Sequence, residues 1–197
     1  VIKGAVQPYD WRYYTEKIRK ERFDLDEEEL KPYFSVENVR KGVFQVTEKL
    51  YGIQFKALTN VPKYHEDATV WEVTEKDGTH LGVLYMDFHP RESKRGGAWM
   101  TSYRIQKTVD GKRDAPVISI VCNFTKPSAN APALLTFDEV STFFHEFGHA
   151  LHGLLSNVTY RSLAGTSVPR DFVELPSQIM ENWAAEPEVL NMYAKHY

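Results

Sequence analysis

Across residues 134–155 the chain sets His145, Glu146, His149 and His152 into a segment that is otherwise mostly apolar. Val140, Phe143, Phe144, Phe147, Leu151, Leu154 and Leu155 recur at three- and four-residue spacings, so the segment reads as one helix with much of its surface in a core. Thr136 or Asp138 can cap its start. Ionisable groups on such a helix are costly to bury unless they are paired or bound to a metal. Whatever fold forms must therefore bring partners to these four side chains.

The five residues from His145 to His149 have the spacing His-Glu-x-x-His. Side chains four apart lie on one helix face, so both imidazoles can reach one ion, and Glu146 can reach a water on it. Zinc accepts such nitrogen ligands, and a catalytic zinc keeps one position open for water. That water loses a proton readily, and a nearby carboxylate can take it as a carbonyl is attacked. A plain core helix with two satisfied histidines leaves Glu146 unexplained.

The third donor must come from elsewhere. The longer pattern His-Glu-x-x-His-x-x-Gly-x-x-His is broken here, because His152 stands at its glycine position and Leu155 at its last histidine. His152 lies two turns from His145, and three ligands on one straight helix close a tetrahedral site poorly. A second helix, predicted to begin near Pro169, Arg170 and Asp171 and to run through Trp183, is the better source. Glu174 and Glu181 are seven apart on it and share a face. Glu174 is the expected third ligand. Glu181 either orients a ligand histidine or is an exposed helix carboxylate.

His145-Glu-Phe-Gly-His-Ala-Leu-His152 and Ala164-Gly-Thr-Ser-Val-Pro-Arg-Asp-Phe-Val-Glu-Leu-Pro-Ser-Gln-Ile-Met-Glu-Asn-Trp183 resemble the thimet oligopeptidase family of zinc peptidases. Leu30-Lys-Pro-Tyr-Phe34, Lys49-Leu-Tyr-Gly-Ile53 and Ser93-Lys-Arg-Gly-Gly-Ala-Trp-Met100 extend the resemblance over essentially the whole chain. It implies an α+β, zincin-like catalytic core, with one zinc ion per chain on His145, His149 and Glu174 and with Glu146 as general base. It implies short peptides as substrates, cleaved by release of C-terminal dipeptides or, alternatively, internally. It also implies that further N- and C-terminal parts of a larger, monomeric enzyme pack on this chain. In the family, a histidine and tyrosines beyond the Glu-bearing helix steady the oxyanion, so this chain alone is expected to bind zinc but to hydrolyse peptides poorly. A different reading makes it a structural module, its zinc closed by His152 as a fourth ligand.

A length of 197 residues suits one domain, here with leading helices over 1–52, a β-rich part over 53–123 and zinc-binding helices over 134–197. A net charge of -3 without a basic stripe argues against nucleic acid, and no apolar run reaches membrane-spanning length. The lone Cys122 suits a reducing, cytoplasmic setting. No signal peptide precedes Val1, and the missing initiator methionine suggests a start inside a longer polypeptide.

A helix over 8–24 is predicted, with Asp10 as cap, Trp11, Tyr14 and Ile18 as apolar stripe, and a Glu16–Lys20 pair. A short acidic helix or turn begins at Leu25, and a second strong helix runs from Ser35 to a stop at Gly52. Strands follow at 53–58, 69–74, 81–86, 98–104 and 117–122, giving a small, mostly antiparallel sheet. The strand at 117–123 is either a peptide-holding edge or a buried central strand. In the loop 87–97, His89, Arg91, Lys94 and Arg95 either meet a peptide carboxylate or are solvated.

Overall fold

The computed structural model describes residues 6–24 and 26–197. Leu25, where the acidic turn was predicted to begin, lies outside the described residues. Helix α1 is Trp11–Phe23 and α2 is Glu27–Leu30, followed by a single 3-10 turn at Lys31–Tyr33. Two expectations for α1 fail. The Asp10 carboxylate makes no helix cap and instead accepts from the Gln7 N–H, and Glu16 pairs with Arg19 rather than Lys20. Trp11 and Ile18 are exposed, and α1 buries no residue among those described.

Helix α3, Val36–Tyr51, starts where the Ser35 hydroxyl accepts from the Asn38 N–H. It stops at Gly52, whose φ of 74° is a left-handed turn that glycine enters without steric cost. Val39, Val43 and Val46 are buried along one face as the spacing requires. Leu50, on the same stripe, is exposed at the helix end.

Seven strands follow: β1 Gln54–Ala57, β2 Thr69–Thr74, β3 His80–Asp87, β4 Trp99–Arg104, β5 Lys107–Val109, β6 Lys112–Asp114 and β7 Val117–Val121. Five form a sheet in the order β1-β2-β3-β7-β4, with β3 and β7 parallel and the other pairs antiparallel. The edge assignment for 117–123 is thereby overturned. β7 is central, flanked by β3 and β4, and its last four residues are buried. The run Val-Ile-Ser-Ile-Val has apolar residues for both faces, which is what a doubly covered strand needs. The edge beside it is β4. The polar segment around Asp110 and Gly111 folds as a separate hairpin, β5 with β6.

Leu84 and Met86 of β3 and Ile118 and Ile120 of β7 are fully buried on the face that meets helix α4, Phe137–Leu154. Thr136, not Asp138, caps α4, in a reciprocal box: its hydroxyl accepts from the Glu139 N–H while the Glu139 carboxylate accepts from the Thr136 N–H. The helix must run very close to the sheet, because a Cβ at Gly153 would stand 2.2 Å from Ile118 Cδ1. A further 3-10 turn at Arg161–Leu163 leads to α5 Arg170–Val173, α6 Leu175–Ala185 and α7 Pro187–Tyr193. α6 packs along α4, and α7 closes on α3 through Tyr193, whose ring occupies the space left by Gly42. The whole is α+β, with helices packed against a mostly antiparallel sheet.

The loop after β3 has a structural task. Asp87, 1 % exposed, receives both terminal nitrogens of Arg91 at 2.9 and 2.8 Å and the Lys94 ammonium at 3.0 Å. Arg91 and Lys94 are thus committed to a buried carboxylate, which fits neither the peptide-carboxylate reading nor the solvated-loop reading for these two residues. His89 is held by the Phe124 carbonyl, and Arg95 is exposed. Burial alone would raise the Asp87 pKa, but the hydrogen bonds from Arg91 and Lys94 outweigh it and hold the carboxyl below the usual range. The stability contributed by this depressed pKa is present above the ordinary carboxylate value and is lost as pH falls through the folded one. Asp87→Ala is expected to cost about 3 kcal/mol, because it strands two cations around a buried position. Urea unfolding at neutral and acid pH checks this: the variant should have a lower midpoint at pH 7 and a shallower acid limb than the wild type.

Candidate metal centre

His145 and His149 stand one turn apart on α4, with ring centroids 4.8 Å from each other. Glu174 reaches them from the second helical segment. That segment is not the continuous helix predicted from Pro169 onward. It breaks at Glu174 between α5 and α6, because Pro176 lacks an N–H and its ring excludes a carbonyl one turn earlier. The break leaves Glu174 at the junction, pointing at the histidine face. Its Oε2 lies 3.3 Å from His145 Nε2 and 3.1 Å from His149 Nε2. Together these donors form a group within 4.8 Å, the single such cluster among the described residues.

Glu181 stands against the other nitrogen of His145. Its Oε1 is 2.5 Å from His145 Nδ1. An ionised carboxylate only accepts, so Nδ1 carries the proton and Nε2 presents a lone pair. That lone pair faces a carboxylate oxygen, another acceptor. Two acceptors at this separation repel unless a cation or a proton lies between them. His149 adds to the demand: burial is the foremost cause lowering its pKa, which favours the neutral imidazole that ligates metals. The donor set thus fits a divalent cation.

Glu146 is 6 % exposed, and its Oε2 has no hydrogen-bond partner. Burial first, and then the Glu174 charge, push its carboxyl up to about 7, against an opposing pull from His145. A carboxyl of that kind can take up and release a proton near neutrality. His152 lies outside the donor cluster. Its Nδ1 is buried without a partner and its ring sits 6.1 Å from Phe172.

Cavities extend along α4 on both sides of the group. One of about 450 Å³ is lined by Asp138, Ser141, Thr142, His145 and Glu181. Another of about 360 Å³ runs from Leu151 and His152 past Gly165 and Val168 to Pro176. The loop between α4 and α5 borders the second. It is tied down by Gln106, whose side chain both donates to and accepts from the Val158 backbone at 3.1 and 2.9 Å, and by Arg113, which donates to the carbonyls of Leu154 and Ser156.

Two features escape pattern reading. Gly148, between the histidines, is where α6 touches α4: a Cβ there would lie 2.5 Å from Ser177 Cα and 2.6 Å from the Pro176 carbonyl. Ser177, three residues after Glu174, hydrogen-bonds the Glu174 carboxylate at 2.9 Å. The signals available were a small residue inside a bulky apolar helix and a serine at a helix start.

Two imidazoles and one carboxylate so placed can hold a divalent cation. A family model described as Peptidase family M3 matches residues 2–197, and the chain belongs to that family. Dipeptidyl carboxypeptidase of Escherichia coli (strain K12) is 50% identical over 194 residues, which are 98% of this chain and 28% of that protein. Oligopeptidase A of the same organism is 42% identical over 98% of this chain, and Thimet-like oligopeptidase of Dictyostelium discoideum 38% identical over 96%. The chain thus spans about 28% of the length of the E. coli relatives it matches.

Gly148→Ala is expected to destabilise the chain by about 1–3 kcal/mol, because the added methyl forces α6 off α4. It should also weaken metal uptake, since Glu174 rides on the junction that α6 anchors. Chemical denaturation and metal titration on the same variant measure both.

Proposed function

We propose that the chain is the metal-bearing part of a zinc peptidase that hydrolyses short peptides. The observation that carries this reading is the convergence of His145 Nε2, His149 Nε2 and the Glu174 carboxylate beside a buried, unpartnered Glu146. Zinc bound there would supply Lewis acidity that polarises a peptide carbonyl and acidifies a water. Glu146 takes the proton from that water as it attacks and returns it to the leaving amine nitrogen. Glu181 keeps the His145 proton on Nδ1 so that Nε2 stays free to ligate. The cavities on either side of the donor group support a peptide lying along α4. So does β4, which among the described residues pairs only with β7 and leaves an edge for an extended backbone.

Release of C-terminal dipeptides is the favoured mode and internal cleavage the second, matching the names of the relatives at 50% and 42% identity. The product ladder from one peptide separates the two. A cytoplasmic setting belongs to the same reading, supported by the free, buried Cys122; no helix among the described residues is long and apolar enough to cross a membrane. The structural-module reading needs His152 as fourth ligand, and its position outside the donor cluster counts against that.

Metal analysis of the purified chain tests the site. Wild type and His152→Ala should each hold one zinc, and Glu174→Ala should lose it. Glu181→Ala should weaken binding by about 10- to 100-fold. Equal zinc in wild type and Glu174→Ala would sink the assignment. In a full-length relative carrying the same residues, the counterpart of Glu146→Gln should keep its zinc and lose about 10²-fold or more in kcat. The 197-residue chain alone is expected to cleave peptides far more slowly than such a relative, because it spans 28% of that length.

A further inference from the structure

Glu174 is the donor least supported by burial. Its side chain is 50% exposed, whereas those of His145 and His149 are 26% and 12% exposed. A glutamate has three side-chain torsions, and at a helix junction nothing in the backbone dictates them. Yet its Oε2 is placed within 3.3 Å of both imidazole Nε2 atoms. Ser177 accounts for that placement. It is fully buried at the crossing of α4 and α6, and its hydroxyl lies 2.9 Å from Glu174 Oε2 and 2.9 Å from the Glu174 carbonyl. Among the described residues it is the one hydroxyl hydrogen-bonded to this carboxylate.

We propose that Ser177 is a positioning residue of the metal centre, its hydroxyl fixing the Glu174 carboxylate so that a divalent cation receives a single oxygen from it. The proposal rests on the reading of His145, His149 and Glu174 as a metal site. A carboxylate oxygen offers two lone pairs. The single Ser177 proton has two acceptors at 2.9 Å, Oε2 and the Glu174 carbonyl; directed at Oε2, it occupies one lone pair there and leaves the other toward the imidazoles. A hydroxyl held at 2.9 Å also resists the rotation that would bring both oxygens onto the ion. One-oxygen ligation keeps the fourth position of a three-residue site open for water. The competing role is local, since a serine near a helix start commonly donates to a preceding carbonyl and merely tightens the turn. That role predicts no effect on metal.

The test is titration of the purified chain with Co²⁺ and Zn²⁺ salts, comparing wild type, Ser177→Ala and Glu174→Ala, with circular dichroism confirming the fold of each. Ser177→Ala removes the hydroxyl from a buried site and adds no volume. It should bind either ion about 10- to 100-fold more weakly than wild type. Its cobalt complex should also absorb less intensely in the visible, as a carboxylate free to ligate through both oxygens raises the coordination number. If Ser177→Ala matches wild type in affinity and spectrum while Glu174→Ala has lost the metal, Ser177 has no positioning role and the metal site itself stands. If wild type and Glu174→Ala bind cobalt alike, or neither binds it, the metal-site reading falls and the Ser177 proposal with it.

Discussion

At the centre of this protein the Nε2 atoms of His145 and His149 face one carboxylate oxygen of Glu174 at 3.3 and 3.1 Å, in a group within 4.8 Å. The packing around them holds them in place. α4 cannot tilt, because Gly153 lies against Ile118 on one side and Gly148 against Ser177 and Pro176 on the other. α6 cannot withdraw, because α7 ties it to α3 through Tyr193, whose hydroxyl also donates to the Ala184 carbonyl at 2.6 Å. The fully buried aliphatic and aromatic side chains under α4 supply the hydrophobic free energy that holds this arrangement.

The arrangement also explains why the ligands are unequally supported. His145 is fixed by Glu181, and His149 by burial within the helix pair. Glu174 sits at a break in the chain, where Pro176 ends one helical turn and begins the next. At that break its carboxylate reaches the two histidines of α4. The placement of Glu174 thus involves Pro176, which starts α6, and Ser177, which hydrogen-bonds the Glu174 side chain.

Much of the site was legible in the sequence because its information is local. A four-residue spacing put His145 and His149 on one face, whereas the seven-residue argument for Glu174 and Glu181 assumed a continuous helix that breaks at Glu174. The caps at Ser35 and Thr136 and the stop at Gly52 were legible for the same reason. What failed was non-local. Strand order depends on which partners meet across long crossovers, so β7 could be read as edge or centre, and only pairing with both β3 and β4 decides. The cations of the loop after β3 looked available until Asp87, buried four residues before Arg91, claimed them. Helix α1 has an amphipathic pattern, but pattern alone does not name a partner, and none of its residues is buried.

The most direct measurement is X-ray absorption at the zinc edge of the zinc-loaded chain, which counts imidazole and oxygen neighbours. Two imidazole nitrogens at about 2.0–2.1 Å, with the remaining neighbours oxygen, are expected from His145, His149, Glu174 and water. Three imidazoles around the ion would bring His152 into the site as a closing ligand and would contradict an open centre able to activate water.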